Sequence, residues 1–372
     1  MRELAGKLPR DLRAALPAWA LARVAVALGA LVAIVVSDEL LAGVRPLQLE
    51  QGLFAWDAAF YRDIADHGYE GVAREALRFF PLVPLLAALL AVPLLGNVGV
   101  ALILVANMAA LAAGALLHRL ARTETGDTDL AGRAAWHLAL LPPALVLVLG
   151  YAESVMLALS IATFLALRRQ RWWSAAIFGF LSALSRPLGA ALALPAAIEG
   201  ARGLREATPG ERVARLGAVV GPVAGLFSYL VWVQVRFGDW RFPVELHASE
   251  ELRGGFVNPV VRIFQSGAAL LGDGTFGDGL HLPWIVLFLG LLVVCFRTLP
   301  VSYGAYAAVL LAAALSAESL GSFERYGLAA FPLVLGLAIV TRPAWLDRLA
   351  VTSAAAGLVA FTTMALLGTF VP

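Results

Sequence analysis

Lysine is all but missing: Lys7 stands alone against 27 arginines. Charge of either sign is scarce as well, with 15% of residues charged and a formal net charge of +2. Cysteine occurs once, as Cys295 inside an apolar run, which excludes an intrachain disulfide. No spacing of His, Cys and Glu suggests a metal site, so neither metal nor cofactor is expected. No basic patch points to nucleic acid, no internal repeat is present, and no stretch reads as a soluble Rossmann-like domain. What fills the chain instead is apolar sequence: 60% of the 372 residues are hydrophobic and the mean hydropathy is +0.82. A soluble domain of this size could not hide that much apolar surface, and several runs approach the ~20 residues needed to cross a bilayer.

The N-terminus is basic to Leu16 and leads into an apolar run from Pro17 to Val36, too long for a signal-peptide core and read as an uncleaved first span. Further apolar runs lie near 82–95, 99–117, 134–150, 152–167, 172–198, 216–235, 283–296, 300–317, 327–340 and 349–370. The pattern predicts an all-α polytopic membrane protein of about 10–11 spans with short re-entrant or outer-face helices, one integral membrane domain over 1–372. Large outer loops are expected at about 37–81 and 237–282, the second a flexible connection carrying a Gly-Asp-Gly-Thr-Phe-Gly-Asp-Gly patch.

Arginine position sets orientation. With the N-terminus inside, and 82–95 read as a short pair broken by Pro84 and Pro93, 17 basic residues fall in short inner loops and ten face out. The run 172–198 then becomes a helical hairpin turning at Ser185-Arg186-Pro187-Leu188-Gly189. Arg23 is expected to snorkel to the inner surface. Asp127-Thr128-Asp129 imitates a metal-binding Asp-x-Asp, but lies in an inner loop and reads as ordinary connection.

The loop after the first span is unlike a simple connection. It holds eight carboxylates and the stretch Trp56-Asp57-Ala58-Ala59-Phe60-Tyr61-Arg62-Asp63-Ile64-Ala65-Asp66-His67-Gly68-Tyr69. At helical period Asp57, Tyr61, Ile64 and Ala65 share a face, and Gly68 is placed to end the helix. Phe79-Phe80-Pro81-Leu82-Val83-Pro84-Leu85 follows. The two motifs together resemble the PIG-V family, the GPI mannosyltransferase 2 family and its bacterial relatives, which are GT-C type membrane glycosyltransferases. Tyr151-Ala152-Glu153-Ser154 is similar to that family's Tyr-Ser-Glu-Ser, with Ala152 replacing a serine. Arg186-Pro187-Leu188-Gly189 matches its Arg-x-x-Gly, and Ser322-Phe323-Glu324-Arg325-Tyr326 its Arg-Tyr segment.

The resemblance implies a mannose transfer from polyprenyl-phosphate-mannose to a lipid, glycan or protein acceptor, with inversion. The loop aspartate, Asp57, is the expected catalytic base. A lipid phosphate leaves well without an acid, so one carboxylate and cations for the phosphate suffice. Arg186 and Arg325 suit the phosphate because planar guanidinium donors match its oxygens. Trp56, Tyr61, His67, Glu153 and Tyr326 complete the expected substrate-binding set. The expected location is the cell inner (plasma) membrane, multi-pass, with the active site facing outside among membrane lipids. Each residue has a plainer reading: Asp57 as a helix N-cap, Glu153 as structural partner of Arg186, Arg325 as an interfacial snorkel, His67 as a helix-end cation. A transporter or lipid flippase with Glu153 and Arg186 lining its path is the competing class.

Overall fold

The computed structural model describes residues 8–40, 45–247, 254–272 and 279–371. Among these residues the regular structure is helical, apart from one isolated antiparallel bridge between Phe256 and Ala317. The apolar runs become helices, with breaks inside 134–150, 172–198 and 327–340. Four are long and apolar enough to cross a membrane: the N-terminal helix to Leu40, Val98–Thr125, Pro209–Phe237 and Ala344–Leu366. A fifth span is possible if Phe323–Ala329 and Pro332–Val340, bent by 84°, count as one. The other apolar runs form helices of 10–17 residues.

The N-terminal helix Leu8–Leu40 shows why these segments suit a bilayer. Its inward face is built of small residues, Ala18, Ala22, Ala25 and Ala33, all buried, which let neighbouring backbones approach. Val24, Leu28, Leu31 and Val35 follow helical spacing on the other side and are exposed. In lipid that large apolar stripe costs nothing, so packing rather than water expulsion selects the inner face.

Three details differ from the expectations. The run 82–95 is a single helix, Leu82–Ala91, ending in a 3-10 turn at 92–94 rather than a broken pair. Pro84 does not interrupt it because it sits in the first turn, where an amide would have no partner in any case. Arg23 does not snorkel. Its guanidinium donates to the Asn107 side chain at 2.8 Å and to the Trp19 and Leu147 carbonyls at 3.0 and 2.9 Å, stacked on the Trp19 ring. Those acceptors satisfy the cation where it is, which removes the need to reach water. The connection after Phe237 is partly helical, with Phe242–His247 and Pro259–Leu270. Positions 273–278 of its glycine-aspartate patch lie outside the described residues.

The hairpin predicted at 172–198 forms. Helix Trp172–Ser185 gives way to extended Arg186 (φ −156°, ψ 145°), a 3-10 segment 187–192 and helix Ala193–Ala201. Gly189 makes the turn possible. A Cβ there would stand 2.5 Å from the Ser182 carbonyl oxygen and closer still to the Ala183 amide.

The helix Glu153–Arg168 joins two polar clusters. At ~1.5 Å per residue they are separated by about 24 Å. At its C-terminal end Arg168 bonds Glu124 at 2.8 Å and Glu199 at 3.2 Å, and Arg202 also reaches Glu199 at 3.1 Å. At its N-terminal end lies the cluster described next.

Gly189→Ala should lower stability by ~1–3 kcal/mol or more, since backbone rather than a flexible side chain opposes the new methyl. Gly132→Ala, where a Cβ meets nothing within 4 Å, is the control. Thermal unfolding in detergent checks the pair, and equal midpoints would refute the close-approach account.

Candidate active site

Trp56 and Asp57 are fixed by contacts far away in sequence. Trp56 takes a positive φ of 60°, unusual for a bulky residue. Its indole N–H donates to the Ala365 carbonyl at 3.0 Å, anchoring the loop on the last long helix. The Gly150 amide donates to Leu53 at 3.1 Å, and the Asp57 amide points to the Tyr151 hydroxyl at 3.4 Å. The helix Asp57–His67 then buries Ala58, Tyr61 and Ile64 and ends at Gly68, with φ 70°.

Asp57 is therefore the first residue inside the helix, not its N-cap. Trp56 holds the cap position, and its own side chain makes no capping bond. The Asp57 carboxylate instead accepts from Arg325 Nη1 at 2.7 Å. Arg325 is turned inward, not toward an interface. Its Nε lies 3.3 Å from Glu153 Oε1, close enough for charge attraction, and its guanidinium carbon is 5.8 Å from the Tyr151 ring centroid. Arg186 donates to the same Glu153 oxygen. Among the described residues Glu153 Oε2 is buried without a hydrogen-bond partner. Two arginines and two carboxylates thus form one chain: Asp57, Arg325, Glu153, Arg186.

These groups border a cavity of about 400 Å³. Trp56, Asp57, Tyr61, Arg186, Arg325 and Tyr326 line it, so six of the eight expected site residues meet in one place. Glu153 lies just beneath, against Arg186 and Arg325. His67 is elsewhere: it is exposed, 3.8 Å from the Asp66 carboxylate, with Nδ1 3.3 Å from the Asp63 carbonyl.

Two participants were not among the expected site residues. Arg78 also lines the cavity, and the Tyr151 hydroxyl supports Asp57. Arg78 stands directly before the Phe79-Phe80-Pro81 motif, and Tyr151 opens the Tyr-Ala-Glu-Ser segment, so both adjoin stretches that were legible.

Electrostatics follow from this geometry. Burial opposes ionisation of Asp57, but attraction to Arg325 and then Arg186 outweighs it and holds the carboxyl below its ordinary range. Burial pushes the Tyr61 phenol up to about 12, so it stays neutral and able to hydrogen-bond. Asp127, the false Asp-x-Asp, caps the helix Thr128–Leu140 by accepting from the Asp129 and Leu130 amides at 2.9 Å. Among the described residues no group of three His, Cys, Asp or Glu side chains is arranged to hold a metal.

Comparison with known proteins completes the description. No curated protein matches the sequence. Among solved structures, ArnT from Cupriavidus metallidurans bound to undecaprenyl phosphate is similar with a TM-score of 0.51 at 15% identity, over 83% of this chain and 71% of that one. Its apo state gives 0.50 at 16% identity over the same shares. AglB from Archaeoglobus fulgidus, an archaeal oligosaccharyltransferase solved with an inhibitory peptide and a dolichol-phosphate, gives 0.45 at 15% identity. The chain covers 56% of that protein's length. The fold is similar to that of ArnT, and the apolar helices make this a multi-pass membrane protein. A family model described as mannosyltransferase (PIG-V) matches residues 26–193, the stretch that holds Asp57, Glu153 and Arg186.

A double-mutant cycle on Asp57→Asn and Arg325→Gln should show a coupling of ~0.5–3 kcal/mol in detergent unfolding. The pair is partly screened, with side chains 23% and 12% exposed, which keeps the value below that of a fully buried pair. Because the Asp57 carboxyl is held below its ordinary value of 3.8, the pair's stabilisation is fully present above that value. It is lost as pH falls through the lowered value. The stability difference between wild type and Asp57→Asn should therefore stay constant from about pH 8 to about pH 5. Additive single mutants would show that the contact contributes nothing.

Proposed function

We propose that this protein transfers a mannose from a polyprenyl-phosphate-mannose donor to a hydroxyl of a lipid, glycan or protein acceptor. The observation that carries the reading is the convergence of Asp57, Arg186 and Arg325 on one cavity, from three stretches that resemble family motifs. The family match supports mannose as the sugar. ArnT, whose fold is similar, was solved with undecaprenyl phosphate, a lipid phosphate of the class invoked here.

The chemistry balances with these groups. The acceptor oxygen attacks the anomeric carbon and gives its proton to the Asp57 carboxylate. The bond from that carbon to the phosphate oxygen breaks on the opposite face, inverting the configuration. The electron pair leaves with the lipid phosphate, whose growing charge is received by Arg186 and Arg325. Both arginines are already oriented in the resting protein, so little reorganisation is needed. Glu153 holds their guanidiniums in place, while Trp56, Tyr61 and Tyr326 offer rings and hydroxyls for a sugar. His67, exposed and away from the lining, is left to the helix end. The pairing of Glu153 with both arginines favours a fixed site over a translocation path.

The reading includes location: a multi-pass protein of the cell inner (plasma) membrane with the cavity facing outside. The positions of Arg168 and Arg202, one helix length from the cavity, support it, since basic residues concentrate inside. Cysteines replacing Asp66 and Glu70, exposed beside the cavity loop, should react with an impermeant thiol reagent on intact cells, in a Cys295→Ser background. Cysteines replacing Thr128 and Arg205 should not. The reverse pattern would overturn the orientation.

Asp57→Asn keeps shape and loses proton acceptance, so turnover should fall by ~10²–10⁴-fold while donor binding persists. The assay is release of polyprenyl phosphate from radiolabelled polyprenyl-phosphate-mannose, run below the variant's unfolding temperature. An Asp57→Asn enzyme with ordinary turnover would sink the assignment of the base.

A further inference from the structure

Charge in the cavity does not balance. Arg325 is paired with Asp57 and approaches Glu153, and Arg186 is paired with Glu153. Arg78 lines the same cavity, yet among the described residues no carboxylate lies within ion-pair distance of it. Among the described residues three guanidiniums therefore face two carboxylates, leaving one positive charge in excess.

Arg78 is nonetheless held in place. It closes the 3-10 segment Arg74–Arg78, and its guanidinium carbon sits 4.7 Å from the Phe79 ring centroid and 5.2 Å from that of Phe60. Those two rings stack on each other at 4.7 Å. Contact with ring faces orients a guanidinium without consuming its N–H donors. The result is a positioned cation whose guanidinium makes no hydrogen bond among the described residues, on the wall of a cavity that already contains a base.

We propose that Arg78 is the capture residue for the phosphate of the incoming donor, a role distinct from that of Arg186 and Arg325. This rests on the transferase reading above. A phosphodiester linking lipid to sugar carries one negative charge, which is the charge the cavity lacks. Binding at Arg78 leaves both resting ion pairs intact, so Asp57 stays ionised as the donor enters. Only when the sugar–phosphate bond breaks does the phosphate gain a second charge, and that charge is met by Arg186 and Arg325. Arg78 thus acts on donor affinity, and the paired arginines act on the departing group.

The test uses the full-length protein in nanodiscs and measures binding of undecaprenyl phosphate alongside steady-state transfer. Arg78→Met keeps an apolar stem over Phe60 and Phe79 and removes the charge, so folding is preserved. It should weaken undecaprenyl phosphate binding and raise the donor KM by about 10- to 100-fold, with kcat changed far less. Arg78→Lys should recover part of the loss, because charge returns without the planar fork. Arg78→Met binding as tightly as wild type would overturn the capture role while leaving the transferase reading intact. Equal, Arg78-dependent competition by phosphatidylglycerol or by inorganic phosphate would make this a general anion site and overturn the donor assignment. Failure of the wild-type protein to bind undecaprenyl phosphate would remove the transferase reading and the capture role together.

Discussion

Arg325 ties together two stretches of chain 268 residues apart, and the polar wall of the cavity depends on that tie. A guanidinium taken this far from water is tolerable only with counter-charges beside it. Asp57 supplies one and Glu153 the other, while Glu153 also neutralises Arg186. Deleting any member leaves another charge uncompensated, so the four residues act as a unit. The same bonds are also exchangeable. A phosphate oxygen offers Arg325 what the Asp57 carboxylate offers, in a geometry that planar donors match well. In the proposed reaction, Arg325 turning toward the leaving phosphate takes from Asp57 the charge that depresses its basicity. The base therefore strengthens as the leaving group departs.

Such a network needs backbone held away from ordinary conformations. Trp56 precedes the aspartate with a positive φ, and Ser322 lies three residues before Arg325 with φ 67°. Neither is a glycine, so both conformations cost something and are retained by their surroundings. The Trp56 indole bond to Ala365 is one such restraint. Arg186 is extended between a helix and a 3-10 segment, and that break exists because Gly189 lets the second limb lie against the first. Arg186 thus projects from an irregular point between helices, and Asp57, Glu153 and Arg325 project from the first turn of a helix. Packed helices place these points, and the irregular backbone aims the side chains.

That division explains what could be read in the sequence. Apolar runs predicted the helices because burial in lipid imposes one composition on every span. The short helix Asp57–His67, its buried face and its glycine end followed from local spacing. The convergence of Asp57, Glu153, Arg186 and Arg325 followed from resemblance joined to topology, not from any local rule. What escaped was whatever depends on a partner far away. Asp57 was open to an N-cap reading because its sequence neighbours give no sign of Arg325. Arg23 suggested a snorkelling cation because nothing near it announces Asn107 or the Leu147 carbonyl. Pro84 looked like a break, since a run of apolar residues does not mark where its first turn begins.

The two ends of the helix Glu153–Arg168 show why chemistry belongs at one of them. Both carry buried carboxylates bound by arginines, and composition alone would not choose between them. At the Arg168 end, Glu199 is bonded by Arg168, Arg202 and the Ser302 hydroxyl, and Glu124 by Arg168. At the Glu153 end, among the described residues, one carboxylate oxygen has no hydrogen-bond partner, no carboxylate lies within ion-pair distance of Arg78, and a cavity of about 400 Å³ opens beside them. A satisfied network stabilises and has nothing left to offer a ligand. An unsatisfied one beside open space costs stability that a substrate can return by completing it, and this fold accepts that cost at the Asp57 end.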